Sequence, residues 1–172
     1  MEFPDLIQKR YSVRKYRPDP IPDAILNRVL EAARAARAAP SAANRQPVRL
    51  IVIPTKGREA DLELIYPRLW FREGPLVVCA CAVPAEAWTR RDGRNYAWVD
   101  ATIAMDHLIL AATNEGLGTC WVAAFDPDAA REVLGLPEGT EPVAFTPLGY
   151  PADRPGGKSR KPINDLVRHD RR

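Results

Sequence analysis

The chain has 172 residues, with 25 Lys and Arg against 22 Asp and Glu, a formal net charge of +3. That length suits one domain, residues 1–172, with a core that needs no covalent staples, and so mild a charge does not call for a nucleic-acid partner. No apolar stretch approaches the roughly 20 residues of a membrane span. The N-terminus carries Glu2 and Asp5 without an apolar segment and does not read as a secretory leader, so the expected compartment is cytoplasmic.

Phe3 to Lys9 reads as a short first helix. Arg10-Tyr11-Ser12-Val13-Arg14-Lys15-Tyr16 then runs extended towards Pro18 and Pro20, which disfavour helix nearby. In an extended segment Arg10, Ser12 and Arg14 point to one side. Two guanidiniums flanking a hydroxyl form a grip for a phosphate, and the same residues also suit a solvated basic patch. Pro22 and Asp23 fit a helix start, and Ile25, Leu26, Val29, Leu30, Ala33 and Ala36 keep a helical period to about Ala39. Arg28, Arg34 and Arg37 belong on its outer face.

Pro40 ends that helix. The turn Pro40-Ser41-Ala42-Ala43-Asn44-Arg45-Gln46-Pro47 is built of small and polar residues, and Ser41 and Asn44 have either local backbone or a ligand to bond. Val48 to Ile53 is a strand, and Lys56 to Ile65 a helix. After Gly74-Pro75, Leu76 to Val83 is a continuous apolar run of the kind buried on both faces of a central strand. Cys79 and Cys81 lie in it, facing one side as small core residues. Ala85 to Asn95 carries Trp88, Arg90, Arg91 and Arg94, and reads as a mobile basic loop, either a lid over a pocket or a solvated surface.

Tyr96 to Glu115 is the main helix, apolar nearly all round, with two thin polar stripes, Asp100/His107/Asn114 and Thr102/Asp106/Thr113. Such a helix belongs in a core or at a subunit interface. Asp100 and His107 lie two turns apart, roughly 10 Å, which makes them no catalytic pair, and His107 reads as structural. Gly116-Leu117-Gly118 closes the helix, Thr119 to Ala123 is a strand, and Asp126 caps a short helix from Pro127 to Leu134. Pro142 to Tyr150 is the last strand. With three cysteines and only His107 and His169, no metal site is expected.

The tail brings a second basic run, Lys158-Ser159-Arg160-Lys161-Pro162, with Lys158 and Arg160 on one side. Gly157-Lys158-Ser159 is not a triphosphate loop. The first glycine that motif needs falls at Ala152, and Pro162 opposes the helix that should follow.

Taken together, R-x-S-x-R at Arg10 to Arg14, P-S-x-x-N-x-Q-P at Pro40 to Pro47, and K-x-R-x-P at Lys158 to Pro162 resemble the nitroreductase family of flavin mononucleotide (FMN) enzymes. The motifs occur in family order over nearly the whole chain. The resemblance implies an α+β sandwich with a mostly antiparallel sheet flanked by helices, and an intimate homodimer with FMN at its interface. From composition and element order alone, a parallel sheet suits equally well.

The resemblance also implies the site. Arg10, Ser12 and Arg14, with Tyr11 between them, would hold the FMN phosphate, ribityl chain or ring edge, and Lys158 and Arg160 would complete the phosphate clamp. Pro40, Ser41 and Ala42 would lean on the partner subunit's flavin, with Asn44 and Gln46 completing that turn. Trp121, Val122, Ala123 and Ala124 would run beside the ring, where larger relatives carry Glu-Gly in place of Ala123-Ala124. The expected activity is hydride transfer from NADH or NADPH through FMN to nitroaromatic, quinone or similar planar acceptors, in ping-pong order and without a protein nucleophile. The alternatives are dehalogenation or flavin breakdown on the same scaffold, a flavin-binding module without turnover, and a basic nucleic-acid-binding protein.

Overall fold

The computed structural model describes residues 1–34 and 40–170. Its centre is a four-stranded sheet of β1 (Val48–Pro54), β2 (Leu76–Ala82), β3 (Gly118–Thr119) and β4 (Glu141–Gly149). The order is β1-β2-β4-β3, and every neighbouring pair is antiparallel. The antiparallel expectation holds, and the parallel alternative is excluded. β2 lies between two partners, and six of its seven residues are buried, as its unbroken apolar run requires.

Alternation along β2 divides the interior into two cores. Val78, Ala80 and Ala82 face one layer, made by α2 (Asp23–Arg34) and α4 (Ala97–Asn114), with Val29, Ala101, Met105 and Leu108 at its centre. Val77, Cys79 and Cys81 face the other layer, where α3 (Glu59–Ile65) and α5 (Pro127–Leu134) pack Leu62, Ile65 and Ala130 around Phe71 and Phe145. The rings of Phe71 and Phe145 meet edge-on at 6.0 Å. The Cys79 and Cys81 sulfurs are 3.5 Å apart inside this second core. Both are free and buried, as expected, and the Cys81 contact together with burial pushes the Cys79 thiol up.

Most elements fall where the sequence places them. α1 spans Phe3–Lys9, and α5 starts at Pro127 with the Asp126 carboxylate accepting from the peptide N–H groups of Asp128 and Ala129. α3 begins at Glu59 instead of Lys56, after a turn in which Gly57 has φ +79°. The expected continuation of α2 to Ala39, with Arg37, lies outside the described residues.

Two expectations are corrected and a third gains detail. The strand at Thr119 to Ala123 shrinks to Gly118–Thr119 plus a single bridge from Val122 to Phe145. The register of the two pieces is continuous and puts Cys120 opposite Pro147, which has no N–H to donate. The Cys120 carbonyl thus finds no ladder donor on Pro147, and the Cys120 N–H donates to Thr146 Oγ1 at 3.0 Å. Secondly, Pro162 does not prevent a helix. It precedes the short α6 (Ile163–Leu166) as its N-cap. Thirdly, the loop of 85–95 is a hydrogen-bonded hairpin. Thr89 bridges Asn95, Asn95 Nδ2 donates to the Pro84 carbonyl at 3.0 Å, and Arg90 is held by Asp92 and the Tyr96 hydroxyl.

α4 settles as a core helix. Ala101, Met105, Leu108 and Ala112 are fully buried against the sheet and α2, while Trp98, Val99, Thr102 and Asp106 remain exposed along one side. Arg28 of α2 clamps Glu115 at its end through two bonds of 3.0 and 2.7 Å. His107 is half-buried, and its Nδ1 has no hydrogen-bond partner among the described residues.

The fold generates two expectations. Met105→Ala removes a fully buried side chain and should cost about 2–5 kcal/mol in urea denaturation, with secondary structure retained by circular dichroism. At Gly118 an added Cβ would stand 2.6 Å from Val13 Cγ2. Gly118→Ala should therefore cost about 1–3 kcal/mol by overpacking, a loss that Val13→Ala in the same chain partly relieves.

Candidate functional site

The two basic runs are about 150 positions apart in sequence and adjacent in space. The first leaves α1 at Arg10, whose backbone is extended. Ser12 then pairs with Thr119 in parallel sense, and the Val13 N–H donates to the Thr119 carbonyl at 2.9 Å. The segment thereby extends the sheet beyond β3. Val13 is buried and lies in the opposite phase to Arg10 and Ser12, which are half-buried, and Arg14, which is exposed; Tyr16 is buried as well, out of that alternation. The Tyr16 hydroxyl donates back to the Val13 carbonyl at 2.9 Å.

The end of β4 returns along the same segment. Tyr16 bridges Pro151 in antiparallel sense, Arg17 N–H donates to the Tyr150 carbonyl, and Ala152 N–H donates to the Lys15 carbonyl at 2.8 Å. Asp153 closes the pairing. Its Oδ2 accepts from the Arg14 N–H at 2.8 Å, and its Oδ1 and carbonyl accept from the Tyr11 hydroxyl at 3.1 and 2.9 Å. The Tyr11 phenol, expected at the ligand, thus spends its donor on the tail.

Beyond Asp153 the chain carries Lys158 and Arg160 to the first run. Desolvation, followed by the charges of Arg10, Arg160 and Arg14, holds the Lys158 ammonium below its ordinary value. Among the described residues, none of these four cations forms an ion pair with a carboxylate. Arg10 Nε is buried without a hydrogen-bond partner. The Arg14 guanidinium lies 5.7 Å from the centre of the Trp70 ring, a cation–π contact that aims it. Cys120 lines the back of the cluster. Burial pushes its thiol up, against the opposing pull of Arg14, a hydrogen bond with Ser12, and Arg10. A cavity of about 260 Å³ opens beside the cluster, lined in part by Arg10, Tyr11, Thr113, Gly118 and Pro151.

Four converging cations, with the unpartnered buried Nε of Arg10 among them, and the Ser12 hydroxyl are groups able to bind a multiply charged anion, and a phosphate monoester fits that donor set. It is the terminal group of the expected FMN. Trp121 packs against the first core and Val122 exchanges two hydrogen bonds with Phe145. Ala123 and Ala124 are exposed immediately beyond. Ala123 lines a cavity with Trp98, Phe125 and Arg131.

The Pro40–Pro47 turn is anchored separately. Ser41 Oγ donates to the buried Asp100 carboxylate at 2.6 Å and accepts from the Gln46 N–H at 2.8 Å. Gln46 Nε2 donates to the Asn44 carbonyl and Oδ1. Ala43, Asn44 and Gln46 all have φ near +54°, a region costly for residues with a Cβ and common at ligand-contacting loops. The turn does not join the cation cluster within the described hydrogen bonds. Ser41, Asn44 and Gln46 hold the turn's own shape, and Pro40 and Ala42 are presented at its surface.

The sequence reading missed Asp153, Trp70 and Cys120 at the cluster, and Asp100 as the anchor of Ser41. None carries a local signal, because each acts on a residue more than fifty positions away. Among the described residues there is no group of His, Cys, Asp and Glu able to hold a metal ion, and no helix long and apolar enough to cross a membrane.

Comparison with known proteins bears on the same elements. The sequence pattern of the nitroreductase family matches residues 7–70 and 66–150. The chain is 30% identical to an NADH dehydrogenase of Thermus thermophilus over 92% of its own length and 91% of the relative's. It is 29% identical to an FMN reductase [NAD(P)H] of Bacillus subtilis, over 92% of its length and 69% of the relative's. The crystal structure of a nitroreductase family protein from Clostridium difficile 630 superposes with a TM-score of 0.90 at 35% identity, over 99% of each chain. By its sequence pattern, its fold and the order of its basic motifs, the chain belongs to the nitroreductase family.

Proposed function

We propose that the chain is an FMN-dependent oxidoreductase that takes hydride from NADH or NADPH and reduces nitroaromatic, quinone or similar planar acceptors in ping-pong order. The observation that carries this reading is the convergence of Arg10, Arg14, Lys158 and Arg160, without carboxylate partners among the described residues, around a buried unpaired Arg10 Nε. A phosphate near −2 in charge supplies what that cluster lacks. The FMN reductase relative supports the choice of flavin and of donor.

In this reading Arg10, Lys158 and Arg160 grip the phosphate, and Ser12 adds a hydroxyl. Trp121 to Ala124 lie along the ring edge, where the small side chains of Ala123 and Ala124 permit close approach. Arg14, aimed by Trp70, balances negative charge at that edge. Pro40, Ser41 and Ala42, with Asn44 and Gln46, present the strained turn to the flavin of a second copy. The chemistry a bound flavin supplies is acceptance of hydride and its return to an oxidised substrate. The protein supplies grip, orientation and charge balance. Exposed Phe3, Ile7, Trp98, Val99, Ile163, Leu166 and Val167 give apolar surface for an intimate homodimer.

The test is the visible absorption spectrum of purified protein, before and after anaerobic NADH and then NADPH. Twin flavin bands that bleach with either nucleotide are expected. Bands that persist with both would indicate a flavin-binding module or a relative driven by another reductant. A colourless protein that ignores added FMN would overturn the reading and turn attention to nucleic acid. Arg10→Ala with Arg160→Ala should strip flavin from the purified protein. A double variant that copurifies with full flavin would move the phosphate elsewhere. In light scattering the wild-type chain should run at the mass of a dimer.

A further inference from the structure

We infer that Asp153 is the positioning residue of the phosphate site: its carboxylate locks the Arg10–Arg14 segment to the returning tail, so that the cations stand assembled before any anion arrives. The inference rests on the proposed FMN reading and deepens it.

An acid beside a site for an anion is a liability unless it does something else. Asp153 forms no ion pair with the surrounding cations among the described residues. Its Oδ2 takes the Arg14 peptide N–H at 2.8 Å, and its Oδ1 takes the Tyr11 hydroxyl at 3.1 Å. Hydrogen bonds to a charged acceptor are the stronger kind. Here they fix the backbone on both sides of Ser12. Burial first, then Asp153, raises the Tyr11 phenol pKa.

The place of Asp153 in the chain makes this lock consequential. It is the last residue before Lys158 that hydrogen-bonds to the first basic segment among the described residues. From Arg154 to Asp170 the tail is exposed throughout, and Lys158 follows Asp153 by only five positions. Four like charges repel one another, and among the described residues no hydrogen bond from 154–160 holds the second pair against the first. The carboxylate thus meets at one point the entropic cost of ordering two segments, which an incoming phosphate would otherwise have to meet.

The experiment is titration of the apo full-length protein with FMN, read by flavin fluorescence, for wild type, Asp153→Ala, Asp153→Asn, Tyr11→Phe and Tyr11→Phe/Asp153→Ala. Asp153→Ala should raise Kd about tenfold or more. Asp153→Asn keeps a carbonyl acceptor and should recover part of that loss. Tyr11→Phe alone should raise Kd by about threefold and have a smaller effect in the Asp153→Ala background, where only the backbone carbonyl of residue 153 still accepts the Tyr11 hydroxyl. Wild-type affinity in Asp153→Ala would overturn the inference, as would a Tyr11→Phe effect that adds in full. If Asp153→Ala fails to fold, Tyr11→Phe alone decides: unchanged affinity overturns the lock. Wild-type protein that does not bind FMN overturns the flavin reading itself, and that result is in hand before any variant is made.

Discussion

The structure depends on one edge pairing. The N-terminal segment adds itself to the sheet through Ser12 and Val13 at Thr119, and the end of β4 returns along its other side through Tyr150 to Asp153. This close approach requires missing side chains. A Cβ at Gly118 would strike Val13, and one at Gly149 would stand 2.8 Å from Pro75 Cδ and 3.3 Å from Tyr16. Val13 and Tyr16 fill the space the glycines leave, and the burial of Val13 turns its neighbours Ser12 and Arg14 to the other side. Packing and site are thus one arrangement. The residues that stabilise the edge set the phase of those that present charge.

That arrangement concentrates charge that the composition conceals. A net charge of +3 over 172 residues is unremarkable on average. Elsewhere on the surface arginines pair with carboxylates, as Arg28 does with Glu115, Arg49 with Glu86 and Arg90 with Asp92. At the meeting of the chain ends Arg10, Arg14, Lys158 and Arg160 do not. Like charges brought together without partners destabilise a fold, and their convergence has physical sense when an anion completes it. The strained Pro40–Pro47 turn is a second such place. Three left-handed non-glycine residues are held there by the Ser41–Asp100 bond.

The main helix shows how a single pattern divides between two roles. Its buried side is set by the sheet and α2, with Ala97, Ala101, Ala104 and Ala112 keeping the layers close and Met105 and Leu108 filling the space between. The same helix supplies Asp100 to the turn from its first turn and leaves Trp98 and Val99 exposed. An apolar sequence on every side therefore reflects an interior position on most of the circumference and an uncovered remainder.

The sequence by itself determined the element list, the central burial of β2, the Asp126 cap and the three motifs that place the chain in its family. Each is a local property: a period, a cap, a turn residue, a spacing. The alternation of Arg10, Ser12 and Arg14 was legible for the same reason, and so was the presentation of Lys158 with Arg160. What the tertiary structure alone decided is which distant groups meet. Periodicity admitted both a core and an interface for α4; packing buries most of it against the sheet and α2 and leaves Trp98 and Val99 exposed. A strand at Thr119 to Ala123 satisfied propensity, but Pro147 on the facing strand broke the ladder. Asp153 carries no signature, since an acid before a basic tail is an ordinary surface pattern. Its role exists because β4 and the first segment lie side by side, and hydrogen-bond partners are fixed by distance in space and not by spacing along the chain.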